Sequence, residues 1–156
     1  MKRNENIVPL SRDHHDGLLF CWKIRQGIKY GVSIERIQAY VKYFWDNHLE
    51  QHFEEEETLL FAGLQDKLVN QAVAEHGKLK RLIDVVVSPA AHPAQLITLA
   101  NTLDDHIRFE ERVLFPHLEK VLSGDRLADL GKQLQQIHHT NEKENYTDEF
   151  WVKAQL

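Results

Sequence analysis

The chain has 156 residues, one cysteine and a formal net charge of −5. That length predicts a single domain, 1–156, with a core that needs no staples, and a lone cysteine excludes an intramolecular disulfide. Lysine and arginine are scattered rather than striped, "MKRNENIVPLSRDHHD" has no apolar leader, and no run approaches ~20 apolar residues. The expectation is a cytoplasmic protein whose main partner is neither nucleic acid nor a membrane.

Four prolines and seven glycines punctuate the chain, and the dominant period is helical. A first helix is predicted to start after Ser11 as N-cap and to run to about Lys29. "YGVS" breaks it, and Ser33 can cap a second helix from about Ile34 to Phe61. A weak break near Gly63 precedes a third, from about Gln65 to Val87. "SPAAHP" is the clearest loop. A fourth helix spans about Ala94 to Leu122, "SGD" stops it, and a shorter amphipathic helix covers roughly Arg126 to Ile137. In the tail, Phe150 and Trp151 either stay loose or dock onto the helices. The prediction is an all-α fold: an up-down four-helix bundle over about 10–122, followed by a short C-terminal helix and tail, 123–156.

"HFEEEETLLF", from His52, has a near-copy in "HIRFEERVLF", from His106. Each reads His, three residues, Glu-Glu, two residues, Leu-Phe. The fourth helix shows an apolar stripe of Leu96, Leu99, Leu103, His106, Glu110, Val113, His117 and Val121, with steps of three and four. The third gives Val69, Ala72, His76, Leu79, Ile83 and Val86. The second gives Val41, Phe44 or Trp45, His48, His52, Glu56 and Leu59. In the first helix the phase through His15 takes in Leu18, Leu19 and Trp22. It is more apolar than the phase through His14, which takes in Gly17, Leu18 and Cys21. His15 is therefore the expected inward residue, with His14 as the alternative.

This patterning places ionised carboxylates and at least four imidazoles inside one bundle. A buried carboxylate without a partner costs several kcal/mol, against a net stability of ~5–15 kcal/mol for a whole domain. A cation among them resolves the conflict, and imidazole nitrogen with carboxylate oxygen suits iron, manganese or zinc. His and Glu at i and i+4 share one helix face and meet at one centre or bridge two. Of the run Glu54 to Glu57, only Glu56 shares the phase of His52, so Glu54, Glu55, Glu57 and likewise Glu111 are expected on a solvated face. His92 falls in a loop, His138 and His139 in the tail, and His117 at the core edge. Trp22 and Trp45 are expected as core filler, and Cys21 as a small buried residue.

"SRDHHDGL", "NHLEQHFEEEETLLF", "AEHGKLKRL" and "DDHIRFEERVLFPHLE" together resemble the hemerythrin-like, HHE cation-binding family over about residues 10 to 120. The resemblance implies a four-helix bundle holding a non-haem pair of iron ions bridged by two carboxylates, usually with five histidines. Carried over, the ligands are His15, His52, Glu56, His76, His106 and Glu110, with Glu56 and Glu110 bridging. The oxygen carriers of the family place a second histidine four residues from the third-helix ligand, where this chain has Ala72 and Lys80. His48 is the candidate replacement imidazole. The fourth helix also carries HxxxE in place of the carriers' HxxxxD. The resemblance implies a protein that binds or senses oxygen, peroxide or nitric oxide. The alternatives are an iron storage or regulatory module, or a di-iron enzyme acting on peroxide or nitric oxide. Zinc or manganese could replace iron, and a protein partner is not specified.

Overall fold

The structure, a computed structural model, describes residues 2–137 and 144–153; His138 and His139 lie outside the described residues. Every regular element among the described residues is helical. A 3-10 turn, Glu5–Ile7, leads into α1, Val8–Lys29. Helix α2 covers 34–60, α3 Lys67–Val86, α4 93–121 and α5 Gly124–Ile137. The all-helical bundle with an added C-terminal helix is as the periodicity predicts. Helix α4 packs against both α1 and α3.

The helix ends have local causes. Helix α1 begins ahead of Ser11: Asn4 Oδ1 accepts from the Asn6 N–H at 2.9 Å, and Pro9 occupies the first turn. Ser11 is thus a helical residue, and its hydroxyl donates to Glu111 at 3.2 Å. Gly31 and Gly63 take positive φ, 66° and 74°, in the turns on either side of α2. Asp66 caps α3 by accepting from the N–H groups of Leu68 and Val69. His92, expected in a plain loop, is the N-cap of α4: its Nδ1 accepts from Ala94 N–H, and Gln95 Oε1 accepts from His92 N–H at 2.7 Å.

Helices α2 and α4 are not regular α-helices throughout. Three π turns interrupt them: Trp45–Leu49, Glu56–Leu60 and Glu110–Leu114. In the second, Phe61 N–H bonds back to Glu56 C=O, five residues away, at 2.8 Å. A wider turn holds one residue more, so the inward face moves on by one position. Val113 and Val121, expected in the core stripe, are 45% and 53% exposed, and Leu114 and Leu118, one position past Val113 and His117, are buried. Leu60 likewise takes the inward position predicted for Leu59.

The first helix corrects the choice between neighbouring histidines. His14 is buried and His15 is exposed. Leu19 and Trp22, in the His15 phase, are 41% and 47% exposed. The inward phase looked less apolar because it contains glycine, and here glycine marks close packing. A Cβ on Gly17 would stand 2.7 Å from Ile107 Cδ1, and one on Gly27 would stand 2.9 Å from Ile37 and Phe150.

The apolar interior forms two clusters. One includes Phe20, Ile24, Tyr40, Phe44, Leu79, Leu99 and Leu103; the other includes Leu10, Leu60, Ala72, Leu114, Phe115 and, from α5, Leu127, Leu130 and Leu134. Along α1–α4, His14, Glu56, His76 and Glu110 fall between the parts of the helix that feed the two clusters. The tail docks: Phe150 is 1% exposed, and Lys23 Nζ sits 3.9 Å from the centre of the Trp151 ring.

Candidate metal centre

Four imidazoles and two carboxylates meet between the two apolar clusters. His14 comes from α1, His52 and Glu56 from α2, His76 from α3, and His106 and Glu110 from α4; none is more than 3% exposed. Their ligand atoms fall into two groups, His14, His52, Glu56, Glu110 and Glu56, His76, His106, Glu110, each spanning no more than 4.8 Å. Both glutamates belong to both groups. His14 Nε2 lies 2.8 Å from Glu110 and 3.7 Å from Glu56. His76 Nε2 lies 3.0 Å from Glu56 and 3.6 Å from Glu110. His52 and His106 each reach the glutamate one turn on in their own helix at 3.4 Å. Despite this crowding, the Nε2 atoms of His52, His76 and His106, both Glu56 oxygens and Glu110 Oε2 make no hydrogen bond. Buried polar atoms are normally paired, so a converging set of unpaired nitrogens and oxygens fits a pair of cations sharing two carboxylates.

The outward ring nitrogens are all engaged. His14 Nδ1 contacts Glu111 at 3.1 Å, His52 Nδ1 contacts Asp13 at 3.0 Å, and His76 and His106 Nδ1 contact Glu57 and Glu75, both at 2.7 Å. An ionised carboxylate only accepts, so each Nδ1 carries the proton and each Nε2 faces the centre. Aromatic faces wall the imidazoles: Phe53 stacks on His76 at 4.0 Å and Phe115 on His14 at 5.2 Å. Ile107 closes against Gly17.

In the metal-free chain this crowd holds protons. Burial pulls the His76 pKa down, but the carboxylates of Glu110, Glu56 and Glu57 around the ring outweigh it and raise it to about 11. The same opposition, with the Glu110 charge as the main raising influence, lifts His106 to about 9. Burial is likewise overcome at His52, chiefly by the Glu56 charge, which leaves its pKa well above the ordinary imidazole value. Burial would raise Glu110, yet the charge of His106 and the surrounding imidazoles hold it well below the ordinary carboxylate range. A metal would take the place of these protons at Nε2.

The structure therefore brings together His52, Glu56, His76, His106 and Glu110 as the sequence placed them, and substitutes His14 for His15. His48 is not in either group. It is only partly buried, its ring lies 4.8 Å from Phe44, and its ligand atom gathers instead with those of Asp13 and Asp16. The first π turn, Trp45–Leu49, separates it in register from His52. Glu55, expected in solvent, is 4% exposed. His117 bonds to Asp66, the N-cap of α3. Trp22 is surface-exposed rather than core filler, and Trp45 is partly buried. Cys21 is buried, and burial pushes its thiol up to about 12. Reading by stripes missed Asp13, Glu57, Glu75 and Glu111, because each lies outside the apolar phase. The available signal was adjacency: Asp13 and Glu75 directly precede inward histidines, and Glu57 and Glu111 directly follow inward glutamates.

A helical bundle whose middle is a buried imidazole–carboxylate cluster defines a class of cation-binding proteins. The family model for the hemerythrin HHE cation-binding domain matches residues 10–118, and the chain belongs to that family. No curated protein and no solved structure matches the chain.

Proposed function

We propose that this chain is a non-haem di-iron protein that binds or senses oxygen or a related small molecule, peroxide or nitric oxide. The observation that carries the reading is the shared pair of glutamates. Glu56 and Glu110 each have oxygens in both ligand groups, and four imidazoles divide two and two between those groups. Such a donor set suits two borderline or hard cations held side by side.

In this reading His14 and His52 hold one ion, His76 and His106 the other, and Glu56 and Glu110 hold both. When bound, the metal pair supplies redox electrons and open coordination positions to a small ligand. The chain's own residues do the rest. Phe53, Phe115 and Ile107 exclude water around the imidazoles. The outer carboxylates orient the rings. With two imidazoles and the two shared carboxylates for each ion, the chain's own donors would not fill a six-coordinate shell.

The test is metal content and absorption of the purified protein, in air, after reduction, and with oxygen, peroxide or nitric oxide added. The reading expects two irons per chain and a spectrum that responds to at least one of these molecules. A di-iron protein indifferent to all three would instead favour storage or regulation.

A further inference from the structure

The two Glu-Glu pairs and the two acid-His pairs have a common explanation in space. Asp13 of α1 holds His52 of α2, and Glu57 of α2 holds His76 of α3. Glu75 of α3 holds His106 of α4, and Glu111 of α4 holds His14 of α1. The contacts run from each helix to the next in chain order and close on the first. No helix is skipped, and no outer carboxylate serves the histidine of its own helix. Two ring members are themselves fixed from outside: Glu111 accepts from Arg3 at 2.9 Å and from Ser11, and Glu75 accepts from Gln71 at 2.9 Å.

We propose that Asp13, Glu57, Glu75 and Glu111 are positioning residues of the centre, a closed circuit of anions that locks all four imidazoles with Nε2 toward the metals and raises their donor strength. The proposal rests on the metal-centre reading above and extends it from six residues to ten. Each carboxylate fixes the tautomer, since a neutral ring with its proton on Nδ1 has its lone pair on Nε2. Each also makes the imidazole more basic, as outer carboxylates do for metal-bound histidine. The carboxylates add negative charge around the centre, offset at Glu111 by Arg3, and so favour ions of higher charge. The circuit further explains why the duplicated motif needs two adjacent glutamates: one residue apart on the helix surface, the first faces the centre and the second reaches the neighbouring helix.

Glu57→Gln is the lead variant, because the Glu57 side chain is 39% exposed and its carboxamide leaves packing untouched. Glu75→Gln and Glu111→Gln repeat the test on α3 and α4, with exposed Glu50→Gln as control. Metal-free full-length protein is titrated with Co(II), read by its d–d absorption. Helix content and cooperative melting of the metal-free protein are followed in parallel. The proposal expects the three ring variants to lose about 10- to 100-fold in Co(II) affinity and to shift the d–d band, while remaining folded. Glu50→Gln should stay within about twofold of the parent. Ring variants that fold and bind Co(II) as the parent does, with the same band, would overturn the circuit and leave the centre intact. A parent protein that binds neither Co(II) nor iron would instead overturn the metal-centre reading on which the circuit rests.

Discussion

His14 and His15 are neighbours with opposite fates, and their substitution separates inside from outside most cleanly. His14→Ala removes a donor beside Glu110 and is expected to lower metal content, whereas His15→Ala, on an exposed side chain, should keep it. Metal analysis of the two purified variants decides this, and equal content would contradict the assignment of faces. Glu110→Ala leaves His14, His76 and His106 facing the centre without their shared anion. Breaking such a buried set from one side is expected to cost ~3–5 kcal/mol in the metal-free protein. Exposed Glu54→Ala should stay within ~0.5 kcal/mol by denaturant unfolding. The pH dependence follows from the raised imidazoles. A group with a raised folded pKa contributes stability fully below its unfolded value and loses it as pH climbs through the folded value. Metal-free stability should therefore fall as pH rises through about 9 and then about 11, the values for His106 and His76. The depressed Glu110 contributes in the opposite range, and its share is lost on acidification. Metal affinity should rise with pH, with protons released on loading, which a pH-indicator titration measures.

At the scale of elements, five of the six inner residues were legible because two HxxxE steps and one isolated histidine interrupt otherwise apolar stripes. The error on α1 arose from scoring glycine as a gap, when Gly17 and Gly27 lie where other side chains come closest. The errors beyond Glu56 and Glu110 arose from assuming a constant 3.6-residue period through a π turn. That turn makes its own prediction. Deleting Val113 lets the Glu110–Leu114 turn relax to ordinary α geometry while Leu114 and Leu118 keep their inward positions. Deleting Arg81, in the regular helix α3, rotates Ile83 and Val86 by about 100° away from the core. The first variant should keep its helix content and a cooperative thermal transition, and the second should lose several kcal/mol, on the order of one or two buried aliphatic side chains. Circular dichroism melts of both, run side by side, check the comparison; two equally damaged proteins would argue that the π turn carries no spare residue.

The whole molecule places a buried, charged layer between two apolar ends, and the parts outside the bundle close those ends. Helix α5 supplies Leu127, Leu130 and Leu134 to one apolar cluster. The tail supplies Phe150 to the other, where Glu144 accepts from the Tyr40 hydroxyl at 2.7 Å and pairs with Lys23. Composition alone left the tail undecided, since two aromatics in a polar run do not say which glycine makes room for them. Phe150→Ala is expected to cost ~3–5 kcal/mol of stability with metal stoichiometry unchanged, because its contacts lie in the cluster lined by Gly27, Ile37 and Tyr40. The expectations on metal content and affinity depend on cations gathering the central side chains. The most direct measurement is metal stoichiometry of the iron-supplied protein by elemental analysis. Two ions per folded chain, reduced to fewer by Glu110→Ala, is the predicted result. A fully folded chain that holds no metal after iron is supplied would contradict it.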